Sequence, residues 1–377
     1  MRIGFDAKRA VCNNTGLGNY SRLVVDVLTE HFPHNEYLLY TPKIKHNDRL
    51  TELLARPGVT LKEPASRLGR TLPSLWRVGS GIVDDFVADG ADIFHGLSNE
   101  LPLTGTNVPT VVTIHDLIFR YFPDCYKAID RKIYDYKFRK ACENATRIIA
   151  VSECTKRDVV RDYGIDPGKV DVVYQGCHRN FRRRCTPAQL AETRKRYSLP
   201  SGDFVLFVGS IEKRKNAMLA VKALRLLPQE MSLVLVGRET AYSAVTIRNY
   251  VQQHNLAGRV HFRQVAFGDL PAVYQMARVF TYPSRYEGFG IPLLEALCSG
   301  TPVVAATGSC LEEAGGPGSL YVNPDDVEGL AAAIAQASAT GELRDGMIAG
   351  GYDYARRFSS AKMANEIMEV YNKALHL

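Results

Sequence analysis

Short apolar runs alternate along the chain with longer segments in which apolar residues recur at every third or fourth position. One such segment has the i, i+3, i+4, i+7, i+8 spacing of an amphipathic helix, carried by Tyr20, Leu23, Val24, Val27 and Leu28. It is flanked by two apolar runs short enough to be strands, residues 3–5 and 37–40. A strand, a helix and a strand at this spacing predict a βαβ unit and therefore a parallel sheet.

The same alternation continues to the end of the chain. Further strands are predicted over residues 59–61, 93–95, 110–114, 148–151 and 170–173 in the first half, and over 204–208, 233–236, 260–262, 279–282, 303–305 and 320–322 in the second. The pattern predicts an α/β protein with two Rossmann-like, doubly wound domains. They cover residues 1–180, onto which a helix at 360–377 returns, and residues 195–358, with the polar, basic stretch 176–201 as the connection. Because ligands bind beyond the carboxyl ends of the strands in such sheets, we expect the chemistry in a cleft where the two domains face each other.

The composition is that of a globular protein. The chain has 377 residues, 46% of them hydrophobic and 23% charged, which suits two folded domains and excludes a disordered, collagen-like or small disulfide-rich protein. The eight cysteines include no Cys-x-x-Cys pair and no zinc-ligand spacing, so we expect reduced thiols and no metal site. Because the sequence has neither a secretory signal nor an apolar run long enough to span a membrane, we expect a cytoplasmic protein.

The net charge of +7 is unevenly distributed. Residues 1–200 contain 31 Lys and Arg against 23 Asp and Glu, whereas residues 201–377 contain 16 against 17. The excess in the first half indicates either an anionic partner, such as a phospholipid surface, a pyrophosphate-linked acceptor or nucleic acid, or a solvated basic face. Nucleic acid is disfavoured, because the basic residues are not interleaved with the aromatic side chains on which bases stack.

One predicted helix concentrates this charge. Between residues 127 and 140, the apolar residues Ile129, Ile133 and Phe138 alternate with six basic residues: Lys127, Arg131, Lys132, Lys137, Arg139 and Lys140. A basic, amphipathic helix of this kind suits a peripheral contact with anionic lipid at the inner face of a membrane, although most charged faces are simply solvated.

Two predicted strand ends in the first half carry residues suited to chemistry. Gly16 and Gly18 open the first helix, where backbone N–H groups can bind a phosphate or sugar oxygen. This segment is not a dinucleotide fingerprint, because Ser21 takes the place of the third glycine and no acid follows the second strand. His115, with Asp116, directly follows the strand at 110–114, where it can donate a hydrogen bond to a sugar hydroxyl or accept a proton.

In the second half, the first predicted strand ends at Gly209 and Ser210. Three successive cations, Lys213, Arg214 and Lys215, come soon after it. Positive charge at a strand end can neutralise a diphosphate whose negative charge grows as it leaves.

The strand at 279–282 is followed by a glycine-containing loop and by a helix predicted to begin near Pro292. Glu287 lies on the loop and Glu295 in the helix, so the two acids can reach different parts of one extended ligand. We expect Glu287 to contact a sugar and Glu295 to accept hydrogen bonds from both hydroxyls of a ribose.

Together these segments resemble the retaining glycosyltransferases of family 4, which have the two-domain GT-B fold. The resemblance spans nearly the whole chain, and it is carried by Thr15-Gly16-Leu17-Gly18-Asn19-Tyr20-Ser21, His115-Asp116, Arg214-Lys215-Asn216, Tyr286-Glu287-Gly288-Phe289-Gly290 with Glu295, and Gly300-Thr301-Pro302-Val303-Val304. The paired glutamates with their Gly-Thr-Pro-Val-Val sequel are the most specific part.

The resemblance implies a role for each matching residue. His115 and Glu287 would be the catalytic residues, beside the transferred sugar. The donor would be bound by Gly16, Gly18, Ser210, Arg214, Lys215, Val265, Leu270, Phe289, Gly290, Ile291 and Glu295. Among these, Lys215 and Arg214 would hold the diphosphate, Glu295 the ribose, and Val265 and Leu270 the base. Ser210 departs from some relatives, which have arginine there.

The resemblance also implies the reaction. A hexose would pass from a nucleotide-diphosphate sugar to a hydroxyl of a glycan or lipid-linked glycan, with retained configuration and without a metal or cofactor. Relatives with a similar glycine-rich start are mannosyl- or rhamnosyltransferases of surface-polysaccharide assembly, which favours mannose and a GDP-linked donor over a UDP-linked one. A nucleotide-sugar hydrolase or epimerase, and a dinucleotide-dependent oxidoreductase, stay open as alternatives, because a fold alone does not fix a function.

Overall fold

The computed structural model describes residues 1–44 and 47–376. The chain divides into two compact units, the first formed by Met1–Gly176 with Phe358–Leu377 and the second by Cys177–Arg357. Each unit is built on one parallel sheet.

The first unit contains seven strands: β1 (Arg2–Asp6), β2 (Glu36–Tyr40), β3 (Val59–Lys62), β4 (Ile93–Gly96), β5 (Thr110–Ile114), β6 (Arg147–Ala150) and β7 (Val170–Val172). Their order in the sheet is β3-β2-β1-β4-β5-β6-β7. The helices between them are α1 (Lys8–Cys12), α2 (Gly16–His31), α3 (Thr51–Leu54), α4 (Arg67–Thr71), α5 (Pro73–Val78), α6 (Ser80–Ala88), α7 (Ile118–Tyr121), α8 (Ala128–Asn144) and α9 (Glu153–Tyr163), with 3₁₀ turns at Asp48–Leu50, Pro123–Cys125 and Pro167–Lys169.

The second unit contains six strands: β8 (Phe204–Val208), β9 (Ser232–Val236), β10 (Val260–Arg263), β11 (Val279–Tyr282), β12 (Val303–Ala306) and β13 (Leu320–Val322). Their order is β10-β9-β8-β11-β12-β13. The helices are α10 (Pro187–Arg196), α11 (Ala217–Ala223), α12 (Arg248–Gln253), α13 (Leu270–Met276), α14 (Ile291–Ser299), α15 (Leu311–Gly315), α16 (Val327–Ser338) and α17 (Glu342–Ala355), with 3₁₀ turns at Arg179–Arg182, Leu224–Leu226, Phe267–Asp269 and Arg356–Phe358 and a π-helical turn at Ser243–Ile247.

Both sheets contain a topological switch point. The chain reverses its direction of travel across the sheet between β1 and β4 in the first unit, and between β8 and β11 in the second. Open α/β sheets bind ligands beyond the carboxyl ends of the strands at such a reversal. In each unit, the loops at this place are therefore the first candidates for a functional site.

The thirteen predicted strands are all observed, each within one residue of its predicted bounds. Their residues are largely buried, as in β5 and β8, where all five positions are buried. Parallel strands covered on both faces read as continuous apolar runs, so they are easily told apart from the spaced pattern of the helices. The predicted amphipathic helix is α2, whose residues Tyr20, Val24, Val27 and Leu28 are buried.

The stretch 176–201 differs from its prediction as a connection. The second unit begins at Cys177, earlier than the predicted residue 195. Phe181 is fully buried and its ring lies 5.8 Å from that of Phe267 and 5.7 Å from that of Tyr274. One large apolar side chain thus anchors an otherwise polar segment in the core of this unit.

The last helix, α18 (Ser360–Leu375), belongs to the first unit. It was predicted over 360–377, of which Leu377 lies outside the described residues. Its Tyr371 is fully buried, and the hydroxyl lies 2.7 Å from Nδ1 of His95 on β4. None of the described helices combines the length and the apolar composition that a membrane span requires.

Candidate active site

Two glycines shape the loop after β8. Gly209 and Gly237 have φ angles of +147° and +146°, which side chains rarely permit. A Cβ atom on Gly237 would lie 2.0 Å from the carbonyl oxygen of Gly209, so the turns after β8 and β9 are in direct contact. The close contact fixes the path of the loop after β8, which contains Arg214 and Lys215.

Asn216 ties this loop to the neighbouring strand end. Its backbone is left-handed, with φ +58°, and its Nδ2 donates hydrogen bonds to the carbonyl oxygens of Pro283 at 3.1 Å and Pro324 at 2.8 Å. The backbone N–H of Arg285 donates to the carbonyl of Arg214 at 3.0 Å. The loops after β8 and β11 are therefore joined at the switch point of the second sheet.

Four side chains converge on one oxygen of Glu287, in the loop after β11. Its Oε1 lies 2.9 Å from the Arg214 guanidinium and 3.8 Å from Nζ of Lys215. The same oxygen accepts hydrogen bonds from the hydroxyls of Ser284 at 2.8 Å and Tyr282 at 3.0 Å. Burial acts to raise the pKa of Glu287, but the two cations and the two hydroxyl donors outweigh it and hold the pKa below its usual value. Glu287 is therefore a carboxylate at neutral pH.

The two cations of this cluster are engaged to different extents. Arg214 also pairs with Glu212 at 2.7 Å and donates to the backbone carbonyl of Tyr286, so it holds the Glu287 loop in place. Lys215 donates to the Tyr282 hydroxyl at 2.9 Å, and Glu287 is its only carboxylate partner within 4.0 Å among the described residues. Lys215 is thus the cation with more capacity left for a ligand.

Glu295 lies in different surroundings, on α14. It is 9% exposed, and its Oε2 accepts a hydrogen bond from the Tyr274 hydroxyl at 2.9 Å. Burial raises the pKa of Glu295 to about 7, although the hydrogen bond from Tyr274 opposes the shift. The structure therefore brings Arg214, Lys215 and Glu287 into one cluster, whereas Glu295 forms an ion pair with neither cation among the described residues.

The other predicted donor-binding residues of this unit lie in segments that follow the carboxyl ends of strands in the same sheet. The carbonyl of Ser210 accepts a hydrogen bond from the Glu212 backbone N–H at 3.0 Å. Val265 follows β10 and Leu270 begins α13, and both are partly exposed. The three remaining residues end the loop before α14 or begin that helix: Phe289, Gly290 and Ile291.

In the first unit, His115 follows β5 and is 8% exposed. Its Nε2 lies 3.0 Å from the carbonyl oxygen of Leu97. A carbonyl only accepts, so Nε2 carries the proton and is the donor in this contact. Burial lowers the pKa of His115 to about 4, aided by Arg9 and opposed by the bond to Leu97. The imidazole is therefore neutral at pH 7. Two roles were predicted for His115, to donate a hydrogen bond to a sugar hydroxyl or to accept a proton, and Nδ1 is suited to the second.

Gly16 and Gly18 lie in the first turn of α2. A Cβ atom on Gly18 would be 1.8 Å from the carbonyl oxygen of Asn13, whereas one on Gly16 would meet nothing within 4 Å. The side chain of Thr15 does not cap the helix, because its hydroxyl donates to Oδ1 of Asn13 at 2.6 Å. The N–H groups of this turn are therefore not used by the Thr15 side chain and are suited to an anion.

Two family models match the chain. The model for glycosyltransferase family 4 matches residues 23–181, and the model for group 1 glycosyl transferases matches residues 191–354. The chain belongs to glycosyltransferase family 4. This membership decides in favour of glycosyl transfer over the hydrolase, epimerase and oxidoreductase alternatives that the sequence left open.

Two curated relatives of this glycosyltransferase illustrate the range of the family. It is 28% identical over 284 residues to the O-antigen chain mannosyltransferase B of Escherichia coli, an alignment that covers 74% of each chain. It is 27% identical over 342 residues to the alpha-maltose-1-phosphate synthase of Mycobacterium tuberculosis, with 84% of this chain and 88% of that protein covered. The names of these two relatives thus refer to different sugars.

Among solved structures, the glycosyltransferase is similar to Anabaena HepE, which was crystallised in complex with UDP. The TM-score is 0.77 at 18% sequence identity, and the superposition covers 99% of this chain and 100% of that one. Together with the two parallel-sheet units, this likeness confirms the predicted GT-B fold.

Sequence reasoning missed three tyrosine and serine side chains of the glycosyltransferase. Tyr282 and Ser284 donate to Glu287, and Tyr274 donates to Glu295. Tyr282 and Ser284 stand at the end of β11, close to Glu287 in sequence, so their polar groups at a strand end were a usable signal. Tyr274 is 21 residues from Glu295, and no local pattern links the two.

Proposed function

We propose that this glycosyltransferase moves a hexose, with mannose the first candidate, from a nucleotide-diphosphate sugar to a hydroxyl of a glycan or lipid-linked glycan. The observation that carries the proposal is the cluster of Arg214, Lys215 and Glu287 at the switch point of the second sheet. The similarity to an O-antigen mannosyltransferase favours mannose, and the UDP complex of HepE favours a nucleoside diphosphate as the leaving group.

In the proposed reaction, the bond between the sugar C1 and the diphosphate breaks while the acceptor oxygen attacks C1 on the same face. The proton of the acceptor hydroxyl passes to an oxygen of the departing phosphate, so the configuration at C1 is retained. Lys215, with Arg214, stabilises the growing charge of the diphosphate, and Glu287 lies beside the sugar as a carboxylate. In this proposal the two cations carry the stabilisation of the leaving group, and no metal ion or cofactor takes part.

The first test is the thermal unfolding of the full chain with GDP, UDP, ADP and NAD in parallel. A ligand at a hundred times its dissociation constant stabilises the folded state by about 2.7 kcal/mol, which a melting experiment resolves. We expect GDP to give the largest shift and NAD none. The stabilising nucleotide then fixes the donor to be assayed, and nuclear magnetic resonance of the product reports the configuration at C1. Stabilisation by NAD alone, or by no nucleotide, would contradict the proposal.

The affinity for the nucleotide should depend on pH through Glu295. If Glu295 accepts hydrogen bonds from the ribose hydroxyls, only its deprotonated form binds the nucleotide well. With a pKa of about 7, roughly a tenth of the Glu295 side chains are deprotonated at pH 6. We therefore expect the dissociation constant, measured by calorimetry, to fall about tenfold from pH 6 to pH 8. The nucleotide itself also titrates in this range, so the comparison is with Glu295→Gln, in which the part due to the side chain should vanish.

The same variant checks the sign of the pKa shift without any ligand. In the folded state Glu295 keeps a proton that the unfolded chain loses above its ordinary pKa of 4.5. The free energy of unfolding should therefore fall as the pH rises from 4.5 to about 7, by up to about 3 kcal/mol, and remain lowered above that pH. If Glu295→Gln has the same pH dependence as the parent, the carboxyl is not the group responsible.

We also propose that α8 of the first unit rests on an anionic membrane surface. Ile129, Ile133 and Tyr136 follow the i, i+4, i+7 spacing of one helix face and are 67%, 45% and 55% exposed. Phe138, predicted to share this face, is instead buried in the core at 8% exposure, because it lies on the opposite side of the helix. Exposed apolar residues among lysines and arginines are typical of helices that lie in the plane of a membrane surface.

Sedimentation with vesicles tests this contact. The protein should pellet with vesicles of phosphatidylcholine and phosphatidylglycerol, less so at high salt, and the Ile129→Ser, Ile133→Ser double variant should lose most of the bound fraction. Leu226→Ser is the matched control, because Leu226 is 57% exposed in the second unit. Equal losses in both variants, or no binding by the parent, would contradict the assignment to α8.

A further inference from the structure

Two adjacent cations follow β1 at the switch point of the first sheet. Lys8 and Arg9 lie just beyond Asp6, the last residue of β1, and β1 is the neighbour of β4 where the chain reverses its direction across the sheet. Both side chains are partly buried and partly open to solvent. Neither cation has a part in the donor site described above.

The acids around these cations are already paired with others. Oδ2 of Asp6 lies 3.1 Å from Nε of Arg77. Glu100, which follows β4, pairs with the same arginine and, at 3.5 Å, with Lys137. Within residues 1–44 and 47–376, no carboxylate oxygen lies within 4.0 Å of the Lys8 ammonium or the Arg9 guanidinium, and Asp6 accepts from the backbone N–H of Lys8 instead, at 3.2 Å. In the same part of the chain, the buried Nε of Arg9 has no hydrogen-bond partner.

The positive charges of Lys8 and Arg9 thus lie close together, and both side chains are partly buried. Burial, followed by the charges of Arg77 and Arg9, lowers the pKa of Lys8, and the more weakly acting charges of Glu100 and Asp6 oppose this shift. Arg9 also helps to lower the pKa of His115, so its positive charge acts on the candidate catalytic imidazole as well. An anion bound by both cations would offset this repulsion, and it would lie at the edge of the sheet that carries His115.

We propose that Lys8 and Arg9 bind a phosphate or diphosphate group of the acceptor. The inference rests on the proposed function, because it names the chemical class of the acceptor for the same reaction. Two cations whose charged groups have no carboxylate within 4.0 Å in the described part of the chain match a dianion better than the single charge of a carboxylate. Lysine supplies a compact charge and arginine a planar fork that can bind two phosphate oxygens at once.

Calorimetric titration with inorganic pyrophosphate tests the site. The full chain is first saturated with the nucleotide that stabilises it most, so that the donor site is filled. Pyrophosphate should still bind, and Lys8→Gln and Arg9→Gln should each weaken this binding about tenfold or more, as the loss of a charge-assisted hydrogen bond implies. Lys43→Gln, at an exposed lysine of the same unit, should bind pyrophosphate like the parent. Acetate at the same ionic strength should bind far more weakly.

Misfolding of the variants is checked separately. Because Lys8→Gln removes one of two repelling charges, its melting temperature without ligand should equal or exceed that of the parent. Arg9→Lys keeps the charge and should retain part of the affinity.

Farnesyl diphosphate and glucose 1-phosphate, titrated in the same way, distinguish a lipid-linked diphosphate from a sugar phosphate as the natural source.

Three results would overturn the assignment of Lys8 and Arg9: pyrophosphate that only competes with the nucleotide, equal binding by all variants, or acetate binding as tight as that of pyrophosphate. A failure of the proposed function is recognised earlier and independently, because then no nucleotide stabilises the enzyme at the saturation step.

Discussion

Lys215→Met should lower kcat by about 10²- to 10³-fold, the cost of removing one preorganised group that stabilises transition-state charge. Nζ of Lys215 lies 2.9 Å from the Tyr282 hydroxyl and 3.8 Å from Oε1 of Glu287, and the side chain is 16% exposed. Its charge is thus held in place yet accessible to a diphosphate. Since that charge matters most as the leaving group departs, the affinity for the nucleoside diphosphate should fall less than kcat.

The measurement is the initial rate at saturating donor, together with the dissociation constant of the nucleotide. Lys213→Met is the matched control, because Lys213 is exposed and only two residues away. Its kcat should stay within a factor of two or three of that of the parent. Equal losses of kcat and of nucleotide affinity in Lys215→Met would mean that Lys215 only binds the donor and does not act on the transition state.

The second large effect should be on stability. Glu287→Leu should lower the free energy of unfolding by up to about 3–5 kcal/mol, because it removes the carboxylate 2.9 Å from the buried Arg214 guanidinium and leaves Glu212, at 2.7 Å, as the remaining acidic partner. The double variant Arg214→Leu, Glu287→Leu should recover much of this loss, since apolar side chains replace the whole pair. It should nevertheless remain inactive, because the proposed site loses both its acid and one cation.

Calorimetric melting is the suitable readout, because the single tryptophan, Trp76, belongs to the first unit and the substitution lies in the second. An exposed ion pair provides the control: Asp325, whose side chain is 71% exposed, pairs with Arg285. Asp325→Ala should cost less than about 1 kcal/mol. If Glu287→Leu is as harmless as this control, Glu287 and Arg214 do not form the stabilising pair described above.

The sequence was sufficient to predict the strands and the place of the chemistry in each half. Glu287 and Lys215 could be singled out because each follows a strand end, and parallel strands bring their carboxyl ends to one edge. The boundary of the second unit could not be predicted, because it depends on Phe181, a single apolar residue in a polar stretch, finding Phe267 and Tyr274 far along the chain.

The order of apolar and polar residues by itself determined two parallel α/β sheets, because buried strands and amphipathic helices differ in local periodicity. Only the tertiary structure decided what each polar group is free to do. The Leu97 carbonyl accepts a hydrogen bond from Nε2 of His115, so that nitrogen cannot donate to a ligand. The Tyr286 carbonyl accepts a hydrogen bond from the Arg214 guanidinium, so that N–H group is occupied as well. Such partners are separated by 18 and 72 residues and meet through folding of the chain, so no local pattern encodes them.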